Sequence, residues 1–176
     1  MDSSELVRRT RRVELLLLDV DGVLTDGGVY LGDGVELKRF DIQDGMGVTL
    51  ARRAGLRVGI LTGRTSSAVT RRARELAIDE VIQGANPKLP AFTALLERLG
   101  LDGTAVAYMG DDLQDLPVLG RVGLALAPAN ARPEVRERVH WVATASGGRG
   151  AVREAVEMLL STRGEWDDLV REYLAP

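Results

Sequence analysis

The chain has 176 residues, of which 45% are hydrophobic and 28% are charged, and its formal net charge at pH 7 is −3. This length predicts one domain with a substantial core, and the acidic excess argues against a surface that binds nucleic acid. Because the chain has no cysteine and a single histidine, His140, disulfides and thiolate metal sites are excluded, and any metal is expected to bind to oxygen.

No segment is apolar enough to cross a membrane. The longest apolar run, Val13 to Val20, contains Glu14 and is too short to span a bilayer, and no signal-peptide pattern precedes it. We therefore expect a cytoplasmic protein with no membrane partner. The run follows four arginines that we interpret as a short solvated segment: Arg8, Arg9, Arg11 and Arg12.

Leucine-rich or β-branched runs alternate along the chain with segments of helical period. This alternation predicts an α/β fold, a Rossmann-like doubly wound parallel sheet. The predicted strands are Glu14–Asp19, Leu56–Thr62, Glu80–Gln83, Ala105–Gly110, Gly123–Ala127 and Trp141–Thr144. The predicted helices or helical turns are Gly47–Ala54, Ser67–Leu76, Leu89–Leu99, Leu113–Arg121, Pro133–Val139 and Gly150–Ser161.

One segment after the first strand departs from this alternation. Val29–Leu31 and Val35–Phe40 flank a Gly-Asp-Gly sequence, which predicts a β-hairpin. No repeat or linker divides the chain, so we predict a single domain over residues 1–176, with its core at about 13–161. The amphipathic tail, residues 162–176, is predicted to pack either on its own domain or on a neighbouring subunit.

Polar side chains follow the predicted strands at their carboxyl ends, which is where open parallel sheets bind ligands. Along the chain these residues are Asp19, Asp21, Thr62, Gly63, Arg64, Lys88, Asp111, Asp112 and Asp115. A carboxylate cluster without histidine or thiol favours Mg²⁺, while a hydroxyl, helix-start amides and an ammonium group suit phosphoryl oxygens. The pattern therefore predicts phosphoryl transfer through a covalent enzyme intermediate.

These residues resemble the motifs of the haloacid dehalogenase-like phosphatases. The four matching motifs are Asp19–Thr25, Thr62–Arg64, Lys88 and Gly110–Asp115. Further segments resemble a capless subfamily that hydrolyses the sugar-acid ester 3-deoxy-D-manno-octulosonate 8-phosphate in lipopolysaccharide biosynthesis: Asp26–Tyr30, Phe40, Asp44–Gly47, Gln83–Gly84 and Gly147–Glu154. The resemblance covers roughly Leu15 to Leu160.

The resemblance implies a role for each motif residue. Asp19 would attack phosphorus, and Asp21 would be the general acid and then the general base. Mg²⁺ would be held by Asp19, the backbone carbonyl of Asp21 and Asp111, with Asp112 and Asp115 ligating or orienting the site. Phosphate and substrate would be bound by Thr62, Gly63, Arg64, Lys88 and Arg149. Residues 147–150 could instead be only a flexible lead into a helix.

The intervals between the motifs are too short for a cap domain. The resemblance implies that neighbouring subunits of a homotetramer, formed around the hairpins, wall the active site, and that the tail can reach an adjacent site.

The residue before the Asp44–Gly47 segment departs from the family pattern. Gln43 stands where the family often has an arginine, so a nine-carbon sialic-acid-type 9-phosphate remains an alternative substrate. A catalytically silent scaffold of the same fold remains an alternative role. Signalling receiver domains carry similar groups, but in a different order along the chain.

Overall fold

The computed structural model describes residues 3–78 and 80–174. Its strands are β1 (Leu15–Leu18), β2 (Tyr30–Gly32), β3 (Val35–Leu37), β4 (Arg57–Leu61), β5 (Glu80–Ile82), β6 (Val106–Met109), β7 (Leu124–Ala127) and β8 (Trp141–Val142). Its helices are α1 (Ser3–Thr10), α2 (Ile42–Arg53), α3 (Ser67–Glu75), α4 (Lys88–Leu99), α5 (Leu116–Leu119), α6 (Pro133–Arg136), α7 (Ala151–Arg163) and α8 (Trp166–Leu174). None of the helices in these ranges combines the length and apolar character needed to cross a membrane.

Six strands form one parallel sheet in the order β5–β4–β1–β6–β7–β8, and β2 pairs with β3 as a separate antiparallel hairpin. The predicted α/β sheet and hairpin are thus confirmed. From β1 the chain builds the sheet outward to β5 and then returns to lay β6 on the other side of β1. The strand order reverses between β1 and β6, and open α/β sheets bind ligands at such a switch point.

The four leucines of β1 form the centre of the core. All four are fully buried, with Leu16 and Leu18 in one apolar layer and Leu15 and Leu17 in the other. Successive strand residues point to opposite faces, so a strand covered on both faces is apolar at every position. The first layer includes residues of α2 and α7, and the second includes residues of α4 and α5.

Helix α2 begins at Ile42, five residues before the predicted start at Gly47. The side chain of Asp41 caps it by accepting hydrogen bonds from the backbone N–H groups of Gln43 and Asp44, at 2.7 and 3.4 Å. Gly45 and Gly47 lie within the helix. A Cβ at Gly47 would approach Arg153 Cα at 3.0 Å, so glycine permits the close packing of α2 on α7.

Both terminal segments pack on the domain as helices. Of the four arginines predicted to be solvated, Arg8, Arg11 and Arg12 are exposed, while Arg9 lies in α1 and its Nη1 donates to Gly123 O at 2.6 Å. In the tail, Leu169 of α8 is buried, and the guanidinium of Arg153 lies 5.2 Å from the centre of the Trp166 ring. The tail's last two residues, Ala175 and Pro176, lie outside the described residues, and contact with a neighbouring subunit stays a prediction.

The intervals between the first strands of the sheet contain no additional domain in the described part of the chain. Within residues 3–78 and 80–174, the chain between β1 and β4 forms the hairpin and α2, and the chain between β4 and β5 forms α3. No cap domain is inserted in these described intervals, as the sequence predicted.

Candidate active site

Two acidic side chains meet at the switch point because β1 and β6 are neighbours. Asp19 follows β1, donates its backbone N–H to Met109 O at 3.0 Å and is 1% exposed. Asp111 comes two residues after β6. Carboxylate oxygens of Asp19, Asp111 and Asp115 all lie within 4.8 Å of one another, so the adjacent strand ends create one acidic cluster.

The oxygens of this cluster are suited to a hard cation. Oδ1 of Asp111 is buried and accepts no hydrogen bond from the described residues, and Oδ2 of Asp19 is buried against the ammonium group of Lys88. Buried carboxylate oxygens are costly unless a cation or donor compensates them. Oxygen ligands without nitrogen or sulfur are the donor set that Mg²⁺ prefers, so these residues fit that ion.

Burial also changes the protonation of the two aspartates. It raises the pKa of Asp19 to about 6, with the charge of Asp115 adding to the rise and Lys88 opposing it. Burial likewise raises the pKa of Asp111 to about 8, helped by the charges of Asp19 and Asp115. In the metal-free protein these carboxylates therefore hold protons at a pH where exposed aspartates are ionised.

Lys88, the first residue of α4, is the buried cation of the cluster. Its Nζ lies 2.8 Å from Asp19 Oδ2 and 2.6 Å from Asp115 Oδ1. Burial would lower its pKa, but the two carboxylates outweigh that effect and raise it. The ammonium group is therefore charged at neutral pH.

Asp115 is fully hydrogen-bonded. Its Oδ1 also accepts from the Tyr108 hydroxyl at 2.7 Å, and its Oδ2 accepts from the backbone N–H groups of Asp111 and Asp112, at 2.9 and 3.1 Å. These bonds fix Lys88 on one side and the Asp111 loop on the other. Asp115 thus orients the site, and Tyr108 is a buried partner that the sequence analysis missed.

Asp112 lies outside the acidic cluster. Its side chain is exposed and accepts a hydrogen bond from the backbone N–H of Leu113 at 2.7 Å, as a helix cap does. Its contribution to metal binding stays a prediction.

Asp21 points to the hairpin. Its Oδ1 accepts from the Nζ of Lys38, whose side chain is fully buried, and its Oδ2 lies 3.6 Å from Arg64 Nε. Lys38 and its neighbour Glu36 were missed by the sequence analysis. The alternation of residues 35–38 was the available signal, because it places the two charged side chains on one face of the strand.

The other predicted substrate-binding residues lie around this centre. Thr62 follows β4 and is 2% exposed, and its backbone N–H donates to Ile82 O at 2.9 Å. Gly63 comes next, where a Cβ would lie 3.4 Å from the side-chain oxygen of Gln114. The side chains of Arg64 and Arg149 are both exposed, the former contacting Asp21 and Glu36. Their substrate contacts stay predictions.

The glycine loop at residues 147–150 packs on the turn that carries Asp21. Gly148 donates its backbone N–H to Val23 O at 2.9 Å, and a Cβ at Gly147 would overlap the backbone oxygen of Gly22. The loop therefore supports the backbone of the turn. The helix that follows the loop, α7, is anchored by Asp44, whose side chain accepts a hydrogen bond from the backbone N–H of Arg153 at 2.9 Å.

Gly22 itself is required by the acidic cluster. It has a φ of +89°, and a Cβ there would overlap the Asp111 carboxylate. A glycine directly after Asp21 therefore permits Asp111 to approach the turn.

Removing one carboxylate should stabilise the metal-free protein. A carboxyl whose pKa is raised by folding destabilises the folded state increasingly as pH rises from its unfolded pKa, about 3.9, through the folded value. For Asp111 this pH range ends at the raised pKa of about 8. We expect Asp111→Asn to raise the Tm of the metal-free protein at pH 8 by about 2–4 °C, the shift that ~1 kcal/mol produces at this chain length.

Thermal unfolding with and without Mg²⁺ tests this expectation. The gain should shrink towards pH 5, and the variant should lose the stabilisation that Mg²⁺ gives the wild-type protein. An unchanged response to Mg²⁺ would contradict the assignment of Asp111 to the metal.

Comparison with known proteins places this site in a family. The family model for haloacid dehalogenase-like hydrolases matches residues 44–123. The 3-deoxy-D-manno-octulosonate 8-phosphate phosphatase KdsC of Escherichia coli K12 is 44% identical over 167 residues, which cover 94% of this chain and 89% of that protein.

Solved structures agree with the sequence comparison. The 3-deoxy-D-manno-octulosonate 8-phosphate phosphatase from Moraxella catarrhalis, in complex with magnesium, phosphate and KDO, has a TM-score of 0.95 at 35% identity and covers 98% of this chain and 99% of its own. A probable YrbI family phosphatase from Pseudomonas syringae has a TM-score of 0.96 at 42% identity, covering 99% of both chains. The resemblance drawn from the motifs is confirmed, and the chain belongs to the haloacid dehalogenase-like phosphatases, in the family of the 3-deoxy-D-manno-octulosonate 8-phosphate phosphatases.

Proposed function

We propose that this protein is a magnesium-dependent phosphatase that hydrolyses 3-deoxy-D-manno-octulosonate 8-phosphate to the free sugar acid and phosphate. The observation that carries the proposal is the acidic cluster of Asp19, Asp111 and Asp115, with the ammonium group of Lys88 buried against Asp19 and Asp115. The relatives from Escherichia coli and Moraxella catarrhalis bear the name of this activity.

Asp19 and Asp21 divide the chemistry. An oxygen of Asp19 attacks phosphorus, the bond between phosphorus and the sugar oxygen breaks, and Asp21 gives its proton to that leaving oxygen. Asp21 then takes a proton from a water molecule, which attacks phosphorus and releases Asp19 and phosphate. One residue serves as acid and then as base, so the enzyme returns to its starting protonation.

Charge on the phosphoryl group is balanced by the groups around Asp19. Bound Mg²⁺, held by Asp19, the backbone carbonyl of Asp21 and Asp111, offsets the repulsion between the anionic nucleophile and the anionic phosphate. Lys88 and Thr62 hold phosphoryl oxygens, and Asp115 fixes the position of the Lys88 ammonium group.

The open site is completed by assembly. We propose a homotetramer built around the hairpins, because large apolar side chains are exposed there: Leu31 at 79%, Leu37 at 62% and Ile42 at 78%. Sedimentation equilibrium measures the mass directly, and a monomer with full activity would contradict this assembly. A cytoplasmic location of this protein stays a prediction.

Phosphate release from a panel of esters tests the function. The wild-type protein with Mg²⁺ should prefer 3-deoxy-D-manno-octulosonate 8-phosphate over a sialic-acid-type 9-phosphate and simple sugar phosphates. Preference for the nine-carbon ester would keep the mechanism and make the departure at Gln43 a change of substrate. No release from any ester would favour a silent scaffold.

A further inference from the structure

Four charged side chains form a closed ring between the hairpin and the active site. Asp21 Oδ1 accepts from Lys38 Nζ, which lies 3.6 Å from Glu36 Oε1. Glu36 Oε2 accepts from Arg64 Nη2 at 2.9 Å, and Arg64 Nε lies 3.6 Å from Asp21 Oδ2. Positive and negative groups thus alternate around the ring, which joins the loops after β1 and β4 to the hairpin.

The members of the ring differ in burial. The side chain of Lys38 is fully buried, while those of Asp21 and Glu36 are 19% and 23% exposed and that of Arg64 is 51% exposed. A buried ammonium group is costly unless its partners compensate its charge. Lys38 is therefore held closely between Asp21 and Glu36, whereas Arg64 closes the ring from a half-exposed position at the surface.

The ring holds the carboxylate of Asp21 towards the hairpin. The acidic cluster gathers oxygens of Asp19, Asp111 and Asp115, while Asp21 has a cation of its own, Lys38, directly after β3. A proton donor must lie within hydrogen-bond reach of the oxygen that it protonates. The orientation of the donor side chain therefore decides the rate of proton transfer.

We propose that Lys38 is a positioning residue, which, with Glu36 behind it, fixes the carboxylate of Asp21 for both of its proton transfers. This inference rests on the proposed function, in which Asp21 is the general acid and base. It gives the hairpin a part in the chemistry of its own chain, beyond any contact with neighbouring subunits.

The dependence on the leaving group separates positioning from a structural role. An alkyl ester such as 3-deoxy-D-manno-octulosonate 8-phosphate needs a proton on its leaving oxygen, whereas p-nitrophenyl phosphate releases a stable anion that needs none. Misplacing Asp21 should therefore slow the first step, the transfer of the phosphoryl group to Asp19, for the alkyl ester alone. It should slow the second step, hydrolysis of the aspartyl-phosphate, for both esters.

The experiment is rapid mixing of the Lys38→Met protein with each ester in the presence of Mg²⁺. We expect the single-turnover rate with the alkyl ester to fall by about 10- to 100-fold, a part of what general acid catalysis supplies. The first release of p-nitrophenolate should keep its rate to within about threefold, and a burst of one equivalent per site should appear because the intermediate accumulates.

Three variants serve as controls. Lys38→Arg keeps the charge and should retain more of the alkyl-ester rate. Glu36→Gln loosens the ring without removing the lysine and should cause a smaller loss in the same direction, which keeps the test open if Lys38→Met does not fold. Arg57→Met removes an exposed cation at the amino end of β4 and should change neither rate.

Two outcomes would overturn the inference while leaving the function intact. One is an equal loss in the rate of the first step with both esters, and the other is no loss with either ester in either step, in each case against an active wild-type protein. No turnover by the wild-type protein would overturn the proposed function and this inference together.

Discussion

An Asp19→Asn protein is expected to lose magnesium-dependent phosphate release by a factor of about 10⁴ or more, the scale on which removal of a catalytic nucleophile acts in other hydrolases. The amide nitrogen and oxygen of asparagine are poor nucleophiles, and the side chain no longer carries the charge that a metal ion requires. Asp19 lies in the acidic cluster and is 1% exposed. No group at the protein surface can therefore act as the nucleophile in its place.

Phosphate release under single-turnover conditions measures this loss, with mass spectrometry to exclude deamidation back to aspartate. Folding should survive, because the substitution keeps the shape of the side chain and leaves Asp115 as the partner of the Lys88 ammonium group. Asp102→Asn is the matched control. Asp102 is an exposed cap of the turn before β6, at the amino ends of the strands and away from the active site. Full activity in the Asp19→Asn protein would contradict the assignment of the nucleophile.

The Lys88→Met protein is expected to lose both activity and stability. Lys88 Nζ lies between Asp19 and Asp115, and all three side chains are at most 1% exposed. Removing one partner of a buried ion pair costs about 3–5 kcal/mol, because the other charges are left uncompensated. For a chain of this length the Tm should fall by roughly 6–20 °C.

The loss of stability should depend on pH in a defined direction. The carboxylates raise the pKa of Lys88, so its contribution is fully present at neutral pH and is lost only as pH rises through that value. Burial raises the pKa of Asp19 to about 6, so protonation removes one uncompensated charge near pH 5. The difference in Tm between the two proteins should therefore be larger at pH 7.5 than at pH 5.

Thermal unfolding of metal-free wild-type and Lys88→Met proteins at the two pH values tests this prediction. Arg57→Met, which removes an exposed cation, should leave Tm nearly unchanged. Equal stability of the wild-type and Lys88→Met proteins at pH 7.5 would mean that the three buried charges do not interact as the geometry indicates.

The sequence predicted the sheet and the residues at its carboxyl edge because both depend on local patterns. The leucines of β1 are apolar at every position, as a strand covered on both faces must be. Asp19 and Asp111 follow neighbouring strands, so a prediction of strand ends was enough to bring them together.

The missed residues depend on contacts between distant parts of the chain. Tyr108 looks like any aromatic residue of a buried strand until Asp115 is seen to accept from its hydroxyl. Lys38 looks like a solvated charge on an edge strand, and only the fold of the hairpin over Asp21 explains its burial. The early start of α2 was also missed, and the extra turns contain Gly45, which is unfavourable in an isolated helix but permits close packing in this one.

We expect the contact between Gly147 and Gly22 to limit how early the chain becomes active during its own synthesis. The turn that presents Asp21 gains its backbone support from a loop about 125 residues later, and β1 gains its β6 neighbour only after position 109. Pairings of such sequence separation are made slowly and late in folding. A ribosome-bound chain that ends before residue 147 therefore carries every motif aspartate and lysine but an unsupported turn, so hydrolysis should begin only when the last sixth of the polypeptide has emerged.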